Sequence, residues 1–471
     1  MMRALLACTW AIVICADVAR AADLEAGVAV VDITPPKGYR MSGYFYERLN
    51  TGTHDPLLAK AIVFRQGNEQ VALVFCDLIG LSRPVSSRAR ELAAKKTNIP
   101  VERILISATH SHTGPLYHGV LRDYFHENAM AKLGKDPHEV IDYPAQLVDK
   151  LATAIQAAQK SVEPVELLTG VTQQQGLSFN RRFHMKDGTV VFNPGKLNPN
   201  IDRVAGPTDP DVGMVRIRRR NKEQDIAFLT VFAMHLDTVG GTEYSADYPF
   251  YLARTLQPVL GNTCISLFGA GTCGDINHID VTNPNPQGGQ LEAARIGTAL
   301  GRTVVLALPG LSKVESPRLG AAKTVVEAPL QQYGPKDIGW AKENLILVGT
   351  NKLPFLKQVE ACKILSLQKT GGTNLPMEVQ AFRLSDEAAI VGLPGEIFVE
   401  LGLEIKKASP FSTTLVVELC NDAPGYVPTK KAFAEGSYET LNSRVKPGGG
   451  EMLVKAAVGL LTDLKQSSSP R

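Results

Sequence analysis

The chain has 471 residues, 44% of them hydrophobic and 21% charged, with 50 Lys and Arg against 47 Asp and Glu for a formal net charge of +3. That composition excludes a disordered, collagen-like or coiled-coil chain, and so even a charge balance carries no signature of a nucleic-acid partner. Beyond the N-terminus, no stretch approaches the roughly 18 apolar residues of a bilayer-spanning helix.

Residues 1–21 combine a basic Arg3, an apolar run from Ala4 to Ala16 and the small-x-small sequence Ala19-Arg20-Ala21. This reads as a signal peptide, which makes the protein exported, either secreted or periplasmic. An uncleaved anchor is the alternative, and a run of about thirteen residues is short for one. Cleavage leaves Cys76, Cys264, Cys273, Cys362 and Cys420. They are odd in number and without CxxC spacing, so neither a zinc ribbon nor a dense disulfide framework is supported.

Alternating apolar residues predict a strand over 26–32, closed by Pro35-Pro36. Two buried strands follow over 58–64 and 71–75, with a turn at Gln66-Gly67-Asn68, then a helix over 86–96 and a strand over 104–107. Leu147, Leu151 and Ile155 give residues 144–161 helical periodicity. The Pro-, Gly- and Asn-rich stretch 187–213 reads as a long ordered loop. A strand over 226–233 delivers His235, and a loop-rich segment, 270–289, precedes a helix near 291–307. Residues 379–384 and 388–393 form a hairpin, followed by a helix over 398–407. Strands and helices alternate throughout, so the fold class is α/β with a mixed β-sheet, in a single large catalytic domain over 22–471.

His110 and His112 follow the strand over 104–107. In an extended segment, residues i and i+2 face one side, so both imidazoles can address one site. The bland alternative is a pair of loop histidines bonded to backbone. The trailing Asp-His of a binuclear metallo-hydrolase pattern is missing, which disfavours two metals. His235 ends its strand either as a ligand or as a satisfied structural histidine. Glu396, after Leu393-Pro-Gly395, is either a first-turn helix carboxylate or one aimed into a crevice at a strand end.

Together the segments Thr109-His-Ser-His-Thr-Gly-Pro115, Phe232-Ala-Met-His235, Ser245-Ala-Asp-Tyr-Pro249, Gly274-Asp275, Leu393-Pro-Gly-Glu396 and Gly425-Tyr-Val-Pro-Thr429 resemble, in order, the neutral/alkaline ceramidases. The opening Ala26-Gly-Val-Ala-Val-Val-Asp32-Ile-Thr-Pro35 and Met41-Ser-Gly-Tyr44 resemble that family's N-terminal signature, and the likeness runs over residues 25–440.

The resemblance implies a single Zn²⁺ on His110, His235, Glu396 and Tyr426. It also implies His112 as a base or transition-state stabiliser, Tyr438 as an oxyanion donor and Arg181 as a substrate-orienting group. Tyr426, Tyr438 and Arg181 each have a plainer reading, as a buried aromatic, a second aromatic and a solvated loop charge. The sequence departs from the family in two places. Where family members carry a serine assigned a nucleophilic role, this chain has Asn277, which excludes a serine acyl-enzyme there and leaves attack by metal-activated water. His278 beside it is either an assistant or a loop residue. The chain also ends at Arg471, with no room after Tyr438 for the family's C-terminal immunoglobulin-like domain.

The expected function is that of an exported zinc-dependent amidohydrolase acting on ceramide or a related N-acylated, lipid-like substrate. It has no nucleic-acid partner and no transmembrane segment after cleavage, with peripheral membrane contact compatible with such a substrate. An esterase or other N-acyl hydrolase with a remodelled pocket is the second reading. A non-catalytic secreted metal- or ligand-binding protein is the third.

Overall fold

The structure is a computed structural model that describes residues 23–467, so the expected export signal lies outside it. β1 (Leu24–Asp32), β2 (Leu58–Gln66) and β3 (Glu69–Cys76) form an antiparallel meander, and α1 (Arg83–Thr97) crosses to β4 (Ile104–Ala108), parallel to β3. α2 (Val120–Leu133) and α3 (Tyr143–Lys160) lead to β5 (Glu163–Gln173), which pairs with β1. The antiparallel pair β6 (Asp211–Arg219) and β7 (Asp225–Phe232) extends the sheet, and α4 (Tyr248–Leu260) returns the chain to β8 (Ile265–Ala270), parallel to β7. The order is β8-β7-β6-β5-β1-β2-β3-β4 in a nine-stranded sheet, with the short strand Ser312–Lys313 on β5 as the ninth member.

After α5 (Gln290–Ala307) the chain builds a second sheet from β9 (Pro317–Pro329), β10 (Asn374–Ser385), β11 (Ala388–Gly392) and β13 (Thr413–Val417). The two-residue strand β12 (Glu396–Ile397) follows β11 and pairs with β14 (Tyr426–Val427). Helices α6 (Phe355–Thr370), α7 (Val399–Ala408) and α8 (Gly449–Gln466) complete this half. Among the described residues, no β-sandwich follows Tyr438.

The layers follow from the strand period of two. Ala61, Val63 and Val74 turn one way, onto Leu147, Leu151 and Ile155 of α3. Farther along the same face, Met214, Phe228 and Phe268 meet α4 and α5. Ile62, Leu73, Val215 and Leu229 turn the other way and pack on Phe382, Ile390, Leu415 and Val417 of the second sheet. The far face of that sheet, with Met377, Val379 and Val391, is covered by α7 and α8. The result is an α/β fold of helices, sheet, sheet, helices with mixed sheets, as the alternation of elements implied. Burying each Leu, Ile or Phe between the sheets contributes about 1.5–3 kcal/mol.

One expectation changes in detail. The stretch 187–213 is not only loop: Val190–Phe192 and Ile201–Val204 flank Arg182–Met185 in a small three-stranded sheet, and β6 begins at Asp211. These strands are too short to show a period against the Pro, Gly and Asn around them. All five cysteines among the described residues are free thiols.

β4, β7, β8, β11 and β13 each run in a parallel pair, and the segments leaving their carboxyl ends converge at one end of the two-sheet stack. That is where open α/β folds place their sites.

Candidate metal centre

His110 lies two residues beyond β4, at φ +81°, in the left-handed region that a non-glycine residue occupies only under constraint. This kink, rather than strand alternation, turns His110 and His112 onto one site. The loop is held in place by His112 N–H donating to Leu236 O at 3.1 Å and by the Arg48 guanidinium donating to His112 O at 2.7 Å. His110 Nδ1 pairs with Ile79 O at 2.8 Å and His235 Nδ1 with Cys273 O at 2.7 Å. A carbonyl only accepts, so both rings carry a proton on Nδ1 and turn Nε2 toward the cluster.

Those two nitrogens face Glu396 Oε2, each at 3.5 Å. His110 Nε2 also stands 3.3 Å from His112 Nε2. Three ring nitrogens thus lie within 4.8 Å of one another, beside the half-buried Glu396 carboxylate. Bare acceptors do not crowd together stably unless a proton or cation sits among them. Ligands on a tetrahedral zinc with bonds of about 2.0–2.1 Å stand roughly 3.3–3.4 Å apart, so the set fits that ion.

Glu396 is not a first-turn helix residue. It sits in β12, where its backbone pairs with Tyr426, and Glu396 N–H donates to Gly425 O at 3.0 Å. The short parallel pair sets both residues side by side. Tyr426 and Tyr438 pack edge-on at 5.4 Å, and the Arg181 guanidinium stands 5.5 Å from the Tyr426 ring centre and 5.9 Å from that of Tyr438. Arg181 donates to Glu439 Oε1 and to Gly274 O, each at 2.8 Å, and lies 3.3 Å from His235 Nε2. It is a buried, paired cation beside the cluster rather than a solvated charge.

The charges follow from burial and from each other. Burial disfavours charge on Glu396, but His110 and His235 outweigh it and hold the carboxyl well below its usual range. His110 is held above the ordinary imidazole range by that carboxylate, against its own burial. Burial and the neighbouring His110 push His112 down to about 3, so its ring is neutral. Burial, then the Glu396 carboxylate, pushes Tyr438 up to about 12, which keeps its hydroxyl protonated.

Asn277 is placed one layer back. Its amide donates to Asn193 Oδ1 at 3.0 Å and its oxygen accepts from Ile279 N–H, so Asn193 rather than Asn277 lines the cleft. His278 is neither a surface residue nor within reach of the cluster: it bridges Asp237 Oδ1 at 3.1 Å and Gln287 O at 2.7 Å. Three further residues complete the support. Asp237, two residues after His235, lines the cleft, and the His278 contact keeps it ionised. Asp275 accepts from Val399 N–H at the start of α7 and from Asn180, which fixes the segment that carries Arg181. The third, Glu418, is fully buried and accepts from Ile397 N–H and Cys273 N–H, tying β12 to the loop that holds His235.

The cluster forms the floor of a cleft of adjoining chambers. The central one, about 210 Å³, is lined by His110, His112, Glu396, Tyr426 and Tyr438. One arm, about 380 Å³, has an aromatic wall in which Phe192 stacks on Tyr438 at 4.5 Å and Phe355 at 5.6 Å. The other arm, about 230 Å³, carries His118, Lys363 and Arg444.

Known proteins resemble this chain in sequence and in fold. Residues 24–244 match the neutral/alkaline non-lysosomal ceramidase family, in its N-terminal part. The match takes in the opening segments and the motifs of His110, His112 and His235, together with Arg181, while Glu396 and Tyr426 lie beyond it. The fold is also that of two solved structures, the neutral ceramidase from Pseudomonas aeruginosa and a ceramidase complexed with C2. Each is 18% identical to this chain with a TM-score of 0.70, covering 96% of it and 76% and 77% of their own chains. No curated protein matches the chain.

Proposed function

We propose that this chain is an exported, zinc-dependent amidohydrolase that cleaves the N-acyl amide bond of ceramide or a related N-acylated lipid. The observation that carries this reading is the convergence of His110, His235 and Glu396 at 3.5 Å on the floor of a cleft with an aromatic arm. His110, His235, Glu396 and Tyr426 would hold the ion, which when bound lowers the pKa of water and polarises a carbonyl.

The chain's own groups do the rest. His112, whose Nδ1 has no hydrogen-bond partner among the described residues, stands beside His110 where it would accept the proton of the attacking water and pass it to the leaving amine. Tyr438, protonated across the working range, donates to the developing oxyanion. Arg181 fixes the Tyr426 and Tyr438 wall and orients the carbonyl beside it. With an amide side chain at Asn277 and no hydroxyl there, attack proceeds without an acyl-enzyme at that position. No helix among the described residues is long and apolar enough to cross a membrane, so the lipid would be met from water or at a membrane surface.

Fatty-acid release from a short-chain ceramide by the zinc-loaded and the chelated protein, side by side, tests the reading. Release that depends on zinc is expected. A folded, zinc-bound protein that releases nothing from ceramide or any N-acyl amide would overturn it.

A further inference from the structure

The arm of the cleft opposite the aromatic wall, lined also by Ile79, Leu116, Val120 and Leu121, holds a cation with no ion-pair partner among the described residues. Arg444 lines the chamber of about 230 Å³ together with Glu396, Asn442, Ser366, Lys363 and His118. Its backbone oxygen accepts from Gln331 N–H at 2.8 Å, which anchors the residue, but its guanidinium makes no hydrogen bond or ion pair with any described residue. Two carboxylates reach it with their field, Asp422 and Glu396, and Asp422 is taken by Arg83 at 2.6 Å. Lys363, 3% exposed, is held by the neutral groups Gln331 Oε1 and Tyr333 OH and has no carboxylate partner either. The one carboxylate lining this chamber is Glu396, which belongs to the metal cluster. The nearby His118 responds to the same field: burial, then Arg444, pushes its ring down to about 4, so it adds no charge but leaves a neutral donor or acceptor.

A recessed guanidinium is costly unless something pairs with it. Native folds meet that cost with a carboxylate, and here the space in front of the group is open to substrate instead. Arg presents a planar fork that fits a carboxylate in two parallel hydrogen bonds. The other arm is aromatic and suits an acyl chain, so the amine half of the substrate falls on the Arg444 side of the cluster.

We propose that Arg444, supported by Lys363, binds a carboxylate on the amine half of the substrate, so that the preferred N-acyl compounds are N-acyl amino acids rather than neutral N-acyl amines. The assignment rests on the amide-hydrolase reading for the bond that is cut, but not for the anion that is bound.

The test uses three ligands with one acyl chain: N-lauroylglycine, N-lauroylethanolamine and N-lauroylphosphoethanolamine. Binding is measured by calorimetry on the zinc-loaded and the chelated full-length protein, and kcat/KM is measured on the zinc-loaded protein. The glycine conjugate should bind about ten- to a hundredfold more tightly than the ethanolamine conjugate, as expected of a hydrogen-bonded charge pair. Arg444→Met should erase most of that ratio and Arg444→Lys part of it. Lys363→Met gives a second route should Arg444→Met fail to fold.

Equal affinities overturn the proposal. So does a preference that survives in Arg444→Met, which would put the carboxylate on the metal, and so does tighter binding of the phosphate. An Arg444-dependent preference without hydrolysis would sink the hydrolase reading and leave this site standing. Hydrolysis without the preference would do the reverse.

Discussion

At the scale of single residues, the proposed centre divides expected ligands from groups expected to handle protons. His110 and His235 each have Nδ1 committed to a carbonyl and Nε2 turned toward Glu396, whereas His112 has no such carbonyl tether. His110→Ala and His235→Ala should therefore lose zinc, falling from one equivalent to a small fraction by elemental analysis. His112→Ala should keep zinc but lose about 10²–10⁴-fold in turnover. Loss of zinc in His112→Ala would make it a ligand in its own right. Tyr438→Phe should retain zinc and lower kcat by about 10²–10³-fold, the cost of removing one oxyanion donor. An unchanged kcat would take Tyr438 out of that role.

The ligand-type residues were legible because short motifs carry them after apolar strands. The way His110 and His112 converge was not, because a left-handed kink at a histidine leaves no trace in composition. Arg444 and Glu418 also escaped: each is a single charged residue in a loop or at a strand end, and its meaning depends on which partners folding leaves absent. Asp237 did carry a signal, standing two residues beyond His235.

At the scale of elements, the site depends on short pieces that tie loops together. Glu418 is the clearest, since it holds both β12 and the Cys273 loop. Burial pushes its carboxyl up to about 8, against an ordinary value of 4.5. The folded state therefore holds this proton more tightly than the unfolded chain does. Its contribution to stability is full below about 4.5 and is lost as pH rises to about 8. Glu418→Gln, which keeps an acceptor for both N–H groups, should flatten the fall in Tm of the chelated protein over that window. Glu418→Ala should destabilise at every pH, because it strands two buried donors at about 1–3 kcal/mol each. If the wild-type and Gln profiles are parallel, Glu418 does not titrate there.

Gly274 shows how close these pieces approach, since a Cβ on it would stand 2.6 Å from Glu396 O. Long strands and α3 were readable because their apolar residues repeat at 2 and 3.6. α2 was not, because none of its residues is fully buried and no apolar stripe marks it. β12 and β14 have two residues each, too few for any period.

At the scale of the whole molecule, the proposed ligands come from both halves. His110 and His235 leave the nine-stranded sheet, while Glu396 and Tyr426 follow the second sheet. The interface between the sheets is apolar, so it orients the halves but does not fix any one carboxylate against a histidine. A bound ion would add that constraint, and its binding energy would count toward holding the halves together. Zinc should therefore raise Tm in proportion to the logarithm of its concentration, by about 4 kcal/mol of stability at a thousand times Kd. The shift should also bring the near-ultraviolet signals of both halves into one transition, since neither half can open without releasing the ion. Trp340, on the second half, reports one side. His235→Ala should leave the zinc-free Tm near that of the chelated wild type and remove its dependence on zinc. Should zinc move the transition of one half alone, the ion is held by ligands of that half, and the four residues do not form one centre.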